Sequence, residues 1–398
     1  MRSLLLLAGL VLTGALLFTV FGVAAAPAGA PAPAAGRETL QDRLKRLPDD
    51  HRGWAQLGVQ YVDQARISGD PSYYTKAEGA LDTAARLSPR DDAVLTGQAT
   101  LAAGRHEFAE AKRLAERALD ANAYSAAAYG VLADARVQLG DLRGAREAVE
   151  RMLDLRPGVA SFARASYAAE LRGDLDGARR YLQYAHEDAR VPADLAYARH
   201  QLGELALHAH DFETADRWYA RALEADPGYT PALAGRARAA ALGGRLDEAL
   251  TRYEGVVRRL PLPQYLIEQG EVRLKSGLPA DWTLLDAQRD LLARTGVRDD
   301  LTWAEFEADH GDPDEAVRHA RAEYARNPGL IAADALGWAL FKADRPREAL
   351  RYAKQATSTG WRHPVLRYHR AEIERSLGRD VPLDPRFDPE LATLARFS

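Results

Sequence analysis

Eight alanines mark out a recurring unit and constrain the fold more than any other feature of the chain. They stand at 77, 111, 145, 178, 215, 249, 316 and 349, separated by 34, 34, 33, 37, 34, 67 and 33 residues. Around most of them one short pattern returns: Gly, any residue, an apolar residue or Pro, two more residues, then Ala. It reads Gly140-Asp-Leu-Arg-Gly-Ala145, Gly173-Asp-Leu-Asp-Gly-Ala178, Gly244-Arg-Leu-Asp-Glu-Ala249 and Gly311-Asp-Pro-Asp-Glu-Ala316. His210 and Asp344 replace the Gly ahead of Ala215 and Ala349. From Glu38 onward the apolar spacing is helical, with no strand-like alternation of useful length. A helix–turn–helix unit of this length cannot bury its apolar face alone, but stacked copies can. The expectation is therefore an all-α fold, an α-solenoid.

The residues suit that reading. A small residue near the turn lets two helices approach closely, and a Gly before the turn accepts a positive φ. Pro89, Pro157, Pro227, Pro261 and Pro328 end second helices. We count nine units and a half-unit, Val365 to Leu377, within a solenoid spanning 38–378. A tail, 379–398, carries a short capping helix at 389–396 that opens on Asp388-Pro389. The doubled step of 67 crosses a worn copy, 263–296, with Trp282 in the alanine slot and Pro279 in the turn. Its second helix is expected to be shifted.

The unit resembles the tetratricopeptide repeat (TPR). In the first copy Trp54, Leu57, Gly58 and Tyr61 match the first-helix signature, and Ala77, Leu81, Ala84 and Pro89 match the second helix and its stop. Tyr129, Leu132, Ala145 and Pro157 mark another copy. Leu202, Gly203, Phe212, Ala215, Ala222 and Pro227 mark a third, and Leu336, Gly337, Ala349 and Ala356 a late one. The resemblance covers about 52–378. It implies that first helices line a concave groove and that fixed slots of each copy point into it. The ninth slot then holds Asp134, Tyr167, Glu204, Glu271, Glu305, Trp338 and Glu372, with Arg238 as the basic exception. The fifth holds His200, Ile267, Leu301, Asp334 and Tyr368. Such a surface, acidic with apolar and aromatic islands, suits a protein or peptide partner bearing Lys or Arg beside apolar anchors. Trp338 is expected either to anchor that partner or to pack under the terminal half-repeat. Trp54 and Trp303 are expected in the core. The family's carboxylate clamp of Lys and Asn is missing, since the early slots hold Ala55, Val59, Gly130 and Asp134.

Composition narrows the function. Lys and Arg total 53 against 57 Asp and Glu, so no basic excess exists to neutralise phosphates, which argues against a nucleic-acid partner. Cysteine is absent, which excludes disulfides, thiolate metal sites, a cysteine nucleophile and a lipid-bearing cysteine. After Met1-Arg2-Ser3, an uncharged apolar run from Leu4 to Ala26 reads as a signal peptide or an uncleaved signal anchor, 1–26. Cleavage would follow Ala25 or Ala34. A Pro/Ala-rich linker, 27–37, comes next. The body is expected outside the cytoplasm, touching the membrane only through that first segment.

No phosphate-binding glycine loop, nucleophile elbow or calcium loop is present. His106-Glu107 and His186-Glu187 lack the second His that would clamp zinc. His200, Glu204 and His208 lie at i, i+4 and i+8 on one helix face. The two ends are about 12 Å apart along the axis, too far for one ion. A two-ligand metal site there is the alternative to a polar groove face. No cofactor and no catalytic step are proposed. The expectation is a scaffold for protein–protein interaction, against a metal- or small-ligand-binding protein or an enzyme whose site is assembled from distant residues.

Overall fold

The computed structural model describes residues 38–295 and 297–395. The export segment and linker expected over 1–37 lie outside the described residues. A short helix, α1 (Leu40–Arg46), precedes nine antiparallel helix pairs. The pairs are α2 (His51–Ser68) with α3 (Ser72–Leu87), α4 (Asp92–Gly104) with α5 (Phe108–Ala121), and α6 (Ala126–Gln138) with α7 (Leu142–Leu155). Next come α8 (Val159–Glu170) with α9 (Leu175–Asp188), α10 (Pro192–His208) with α11 (Phe212–Ala225), and α12 (Thr230–Leu242) with α13 (Leu246–Arg259). The last three are α14 (Pro263–Lys275) with α15 (Thr283–Thr295), α16 (Asp300–His310) with α17 (Pro313–Arg326), and α18 (Leu330–Lys342) with α19 (Pro346–Ala356). A single helix, α20 (Pro364–Ser376), follows them. The fold is an all-α solenoid. Among the described residues no helix is long and apolar enough to cross a membrane.

Each hairpin is set by local chemistry. Gly140, Gly173 and Gly244 have φ of +79°, and His106, His210 and Asp344 take the same left-handed turn. The following Asp141, Asp174 and Asp211 then cap the second helix, accepting from the N–H of Gly144, Gly177 and Thr214 at 3.0, 2.8 and 3.1 Å. All eight register alanines are buried, none more than 3 % exposed. In the worn copy, Trp282 fills the space over Gly270 of α14, where a β-carbon would collide with its ring. Accordingly α15 starts after the alanine slot, whereas α7 starts three residues before Ala145.

Most consecutive first helices touch, as α2 does α4 and α16 does α18, while second helices have no comparable contact with one another. First helices therefore line the inside of the curve. The curve is tight enough to close. The turns ending α6 and α8 meet the loops before α18 and α20, six pairs further on. A β-carbon on Gly329 would lie 2.7 Å from the Gln138 carbonyl oxygen, and Gly173 and Gly360 meet backbone to backbone. Leu171, Leu330, Ala333, Ala356, Trp361 and Leu366 form a shared apolar cluster across this seam. The Asn327 amide donates to the His106 carbonyl oxygen, and Trp361 Nε1 to Glu170, at 3.3 and 3.1 Å.

Candidate binding groove

The ninth-slot residues lie on the first helices, and most of them are spent on the fold. Asp134 receives a two-pronged pair from Arg164 on the next first helix, at 2.9 and 2.6 Å. Glu204 lies 3.1 Å from His200 and 3.4 Å from Arg238, and accepts from the Tyr219 hydroxyl at 2.7 Å. Burial pushes this carboxyl up, but His200, Arg238 and Tyr219 together outweigh it and hold it down at about 2. Arg238 continues the ladder to Glu268 at 3.0 Å, which also accepts from Tyr253 and Gln264. One guanidinium thus serves two buried carboxylates. Glu268 carries the desolvation cost, and its carboxyl is raised to about 7. Glu305 is buried too.

These placements correct the acidic-groove expectation. Glu204, Arg238, Glu271 and Glu305 are buried, and the partly buried Asp134 is paired with Arg164, so they do not offer a negative strip to a basic peptide. Tyr167 sits at the seam, its ring edge-on to Trp361 at 6.0 Å. Of the two expectations for Trp338, packing under the last half-repeat is the one found. It is 7 % exposed, stacks on His369 of α20 at 3.9 Å, and donates from Nε1 to Asp309 at 2.7 Å. Trp303 is buried, and Trp54 packs partly buried on the first-repeat core. Tyr368 and Glu372 are partly exposed, as are Asp134 and Tyr167. Tyr368 lies 4.7 Å from the Phe387 ring, and Glu372 accepts from Arg375.

The metal reading fails for a similar reason. His208 pairs with Glu170 at 3.1 Å. Burial would lower its basicity, yet Glu170 outweighs that and raises it. Among the described residues no three His, Asp or Glu side chains gather to hold an ion.

The groove nevertheless has an occupant. After α20 the chain turns back, and Pro389–Ala395 forms a 3-10 segment against the inside of α12 and α14. Leu391 and Leu394, both fully buried, join a cluster with Ala237, Ala240, Ala241 and Val272. Small residues on α12 leave the room they fill. The Thr393 backbone N–H donates to Glu271 Oε2 at 3.1 Å, and its hydroxyl donates to Oε1. His310 reaches the same carboxylate at 3.0 Å. Burial still raises the Glu271 carboxyl, against the pull of His310 and Thr393. Lys275 anchors the segment's start through Asp388 and Glu390. The short helix read at 389–396 thus plugs the concave face, where a cap on the end of the stack was expected.

Nine stacked hairpins, eight of them carrying the alanine register, with first helices inside, decide the architecture. The fold is a tetratricopeptide-repeat solenoid. Solved TPR structures are similar to this one. Human IFIT1, in a dimer with m7Gppp-AAAA, aligns with a TM-score of 0.52 at 15% identity, over 80% of this chain and 75% of its own. A TPR protein of Thermus thermophilus, TTC0263, aligns at 0.41 and 22% identity, over 48% of this chain and 97% of that one. The type IV pilus biogenesis factor PilW aligns at 0.40 and 17% identity, over 59% and 92%. No protein-family model and no curated protein matches the chain in sequence. In this TPR solenoid the plug and the seam escaped the sequence reading, because both join residues over a hundred positions apart.

Proposed function

We propose that the protein is a scaffold that holds a short helical segment of a protein partner on its concave face, outside the cytoplasm. The observation that carries this reading is the plug itself. The groove over α12 and α14 is shaped for two leucines three residues apart and for a polar N–H and hydroxyl between them. A partner segment with that pattern would make the same contacts. It replaces the basic peptide expected from the sequence, since the groove carboxylates are already paired within the fold. No catalytic role is assigned.

The test uses the full chain. Leu391→Ala with Leu394→Ala should free the groove. A peptide covering Arg386 to Ser398, added in trans, should then bind the variant but not the unaltered protein. Failure to bind the variant would end this reading. The placement rests on the apolar run from Leu4 to Ala26. A reporter fused after Gly36 should be exported, and activity confined to the cytoplasm would remove that part.

A further inference from the structure

Beside the seam lies an open cavity that the groove does not use. It measures about 950 Å³ and lies between the turn ending α10, the loop before α20, α20 itself and the tail from Val381 to Phe387. That volume is in the range of small-molecule sites and far below a folded partner. Its walls are held from both sides. Glu170 accepts from Trp361 Nε1 and meets His208 Nδ1, each at 3.1 Å, tying an early turn to a late loop. Arg370 donates to Thr357 Oγ1 at 2.9 Å.

The charge of the lining is one-sided. Four arginines face it with only two carboxylates. Both carboxylates are taken, Glu374 by Arg370 and Arg379 at 3.3 and 3.1 Å, and Asp384 by Arg386 at 2.8 Å. Arg362 and Arg367 have no carboxylate partner among the described residues, in a chain whose formal charge is -4. Beside them stand flat apolar surfaces, the Tyr368–Phe387 ring pair and Trp361.

We propose that this cavity binds a small molecule carrying a phosphate monoester on a flat, apolar body. Two unmatched guanidiniums balance the charge of about −1.5 to −2 on a monoester at neutral pH, and their planar forks fit its oxygens. The aromatic surfaces take the body by stacking. The proposal stands apart from the peptide groove, since the cavity shares no wall with Glu271 or Leu394.

The probe is 1-naphthyl phosphate, titrated calorimetrically into the full chain, with 1-naphthol, inorganic phosphate and phthalate as parallel titrants. The expected result is saturable binding of the ester, with naphthol and inorganic phosphate each at least about tenfold weaker. Arg362→Ala with Arg367→Ala should weaken the ester at least about tenfold, while Arg347→Ala, an exposed arginine outside the cavity, leaves it unchanged. Arg362 and Arg367 are exposed, so their loss leaves no buried charge behind. Hydrogen exchange across Val381–Phe387 should slow on adding the ester, which places it against the tail. Absence of saturation at millimolar ester, or equal binding by the double variant, would overturn the proposal. Phthalate binding as tightly as the ester would overturn the assignment to phosphate.

Discussion

Replacing Leu394 by Ala tests whether the plug is held as the structure shows. Leu394 is fully buried among Ala237, Ala240, Ala241 and Val272. The change removes three carbons, each worth about 0.8 kcal/mol of transfer free energy, so about 2 kcal/mol is lost before any cavity term. In a rigid core the total would be about 2.7–5 kcal/mol. Here the tail is free to leave, so the loss is capped at the free energy of docking. The reporter is the Thr393 amide, which donates to the buried Glu271 carboxylate. A loss of about 2–3 kcal/mol should speed its exchange by about 30- to 150-fold, since about 1.4 kcal/mol is a factor of ten. Exchange followed by NMR at neutral pH reads this directly, with amides of α4, in another part of the stack, as the internal standard. If Thr393 exchanges unchanged while the whole chain loses stability, Leu394 is an integral core residue and the docked-tail reasoning is refuted.

Other outcomes follow from the same contacts. Ala249→Leu should overpack the α12–α13 hairpin and lower stability by about 1–3 kcal/mol in urea unfolding. Asp344→Gly, which relieves the left-handed turn at φ 57°, should raise stability by about 0.5–1 kcal/mol. Trp338→Ala should cost about 3–5 kcal/mol and leave peptide capture by the groove unaltered once folded, because the ring packs under α20. Glu268 binds its proton more tightly in the folded chain, at about 7 against an ordinary 4.5. Its contribution is therefore full below about pH 4.5 and lost as pH rises through about 7. Glu268→Gln should flatten that decline, which urea midpoints from about pH 5 to 8 will show.

How much of this was legible depended on distance along the chain. The alanine register was readable because each hairpin is decided within one unit. Ala215 meets the helix just before it, and the Asp211 cap and the turn at His210 sit in the same few residues. The use of the first-helix slots was not readable in the same way. Asp134 and Arg164 are 30 residues apart, Glu204 and Arg238 are 34, and Asp334 and His369 are 35. Complementary polar side chains one repeat apart, on successive first helices, form ladders across the stack. That spacing was a usable signal, and it separates a structural carboxylate from one left for a partner. The seam had a fainter signal. Gly140 faces Pro328-Gly329 and Gly173 faces Gly360, where backbones meet too closely for a side chain. Nothing local to Gly329 or Gly360 says which earlier turn they approach.

The plug and the seam together change what a TPR groove means in this chain. An open concave surface would be ready for any partner, with affinity set by contacts alone. A partner that uses this groove as proposed must displace a tethered segment, whose tether gives it a local concentration in the millimolar range. A docking free energy of about 2–3 kcal/mol leaves about 1–3 % of molecules with an open groove, and apparent affinity falls by that fraction. The tail also forms a wall of the seam cavity through Val381 to Phe387 before it reaches the groove. A ligand that fixes that wall holds the plug's anchor in place, and by linkage it opposes the partner by the same free energy with which the partner opposes it. The two proposed sites are joined by one short piece of chain, so ligand bound at one is expected to shift binding at the other.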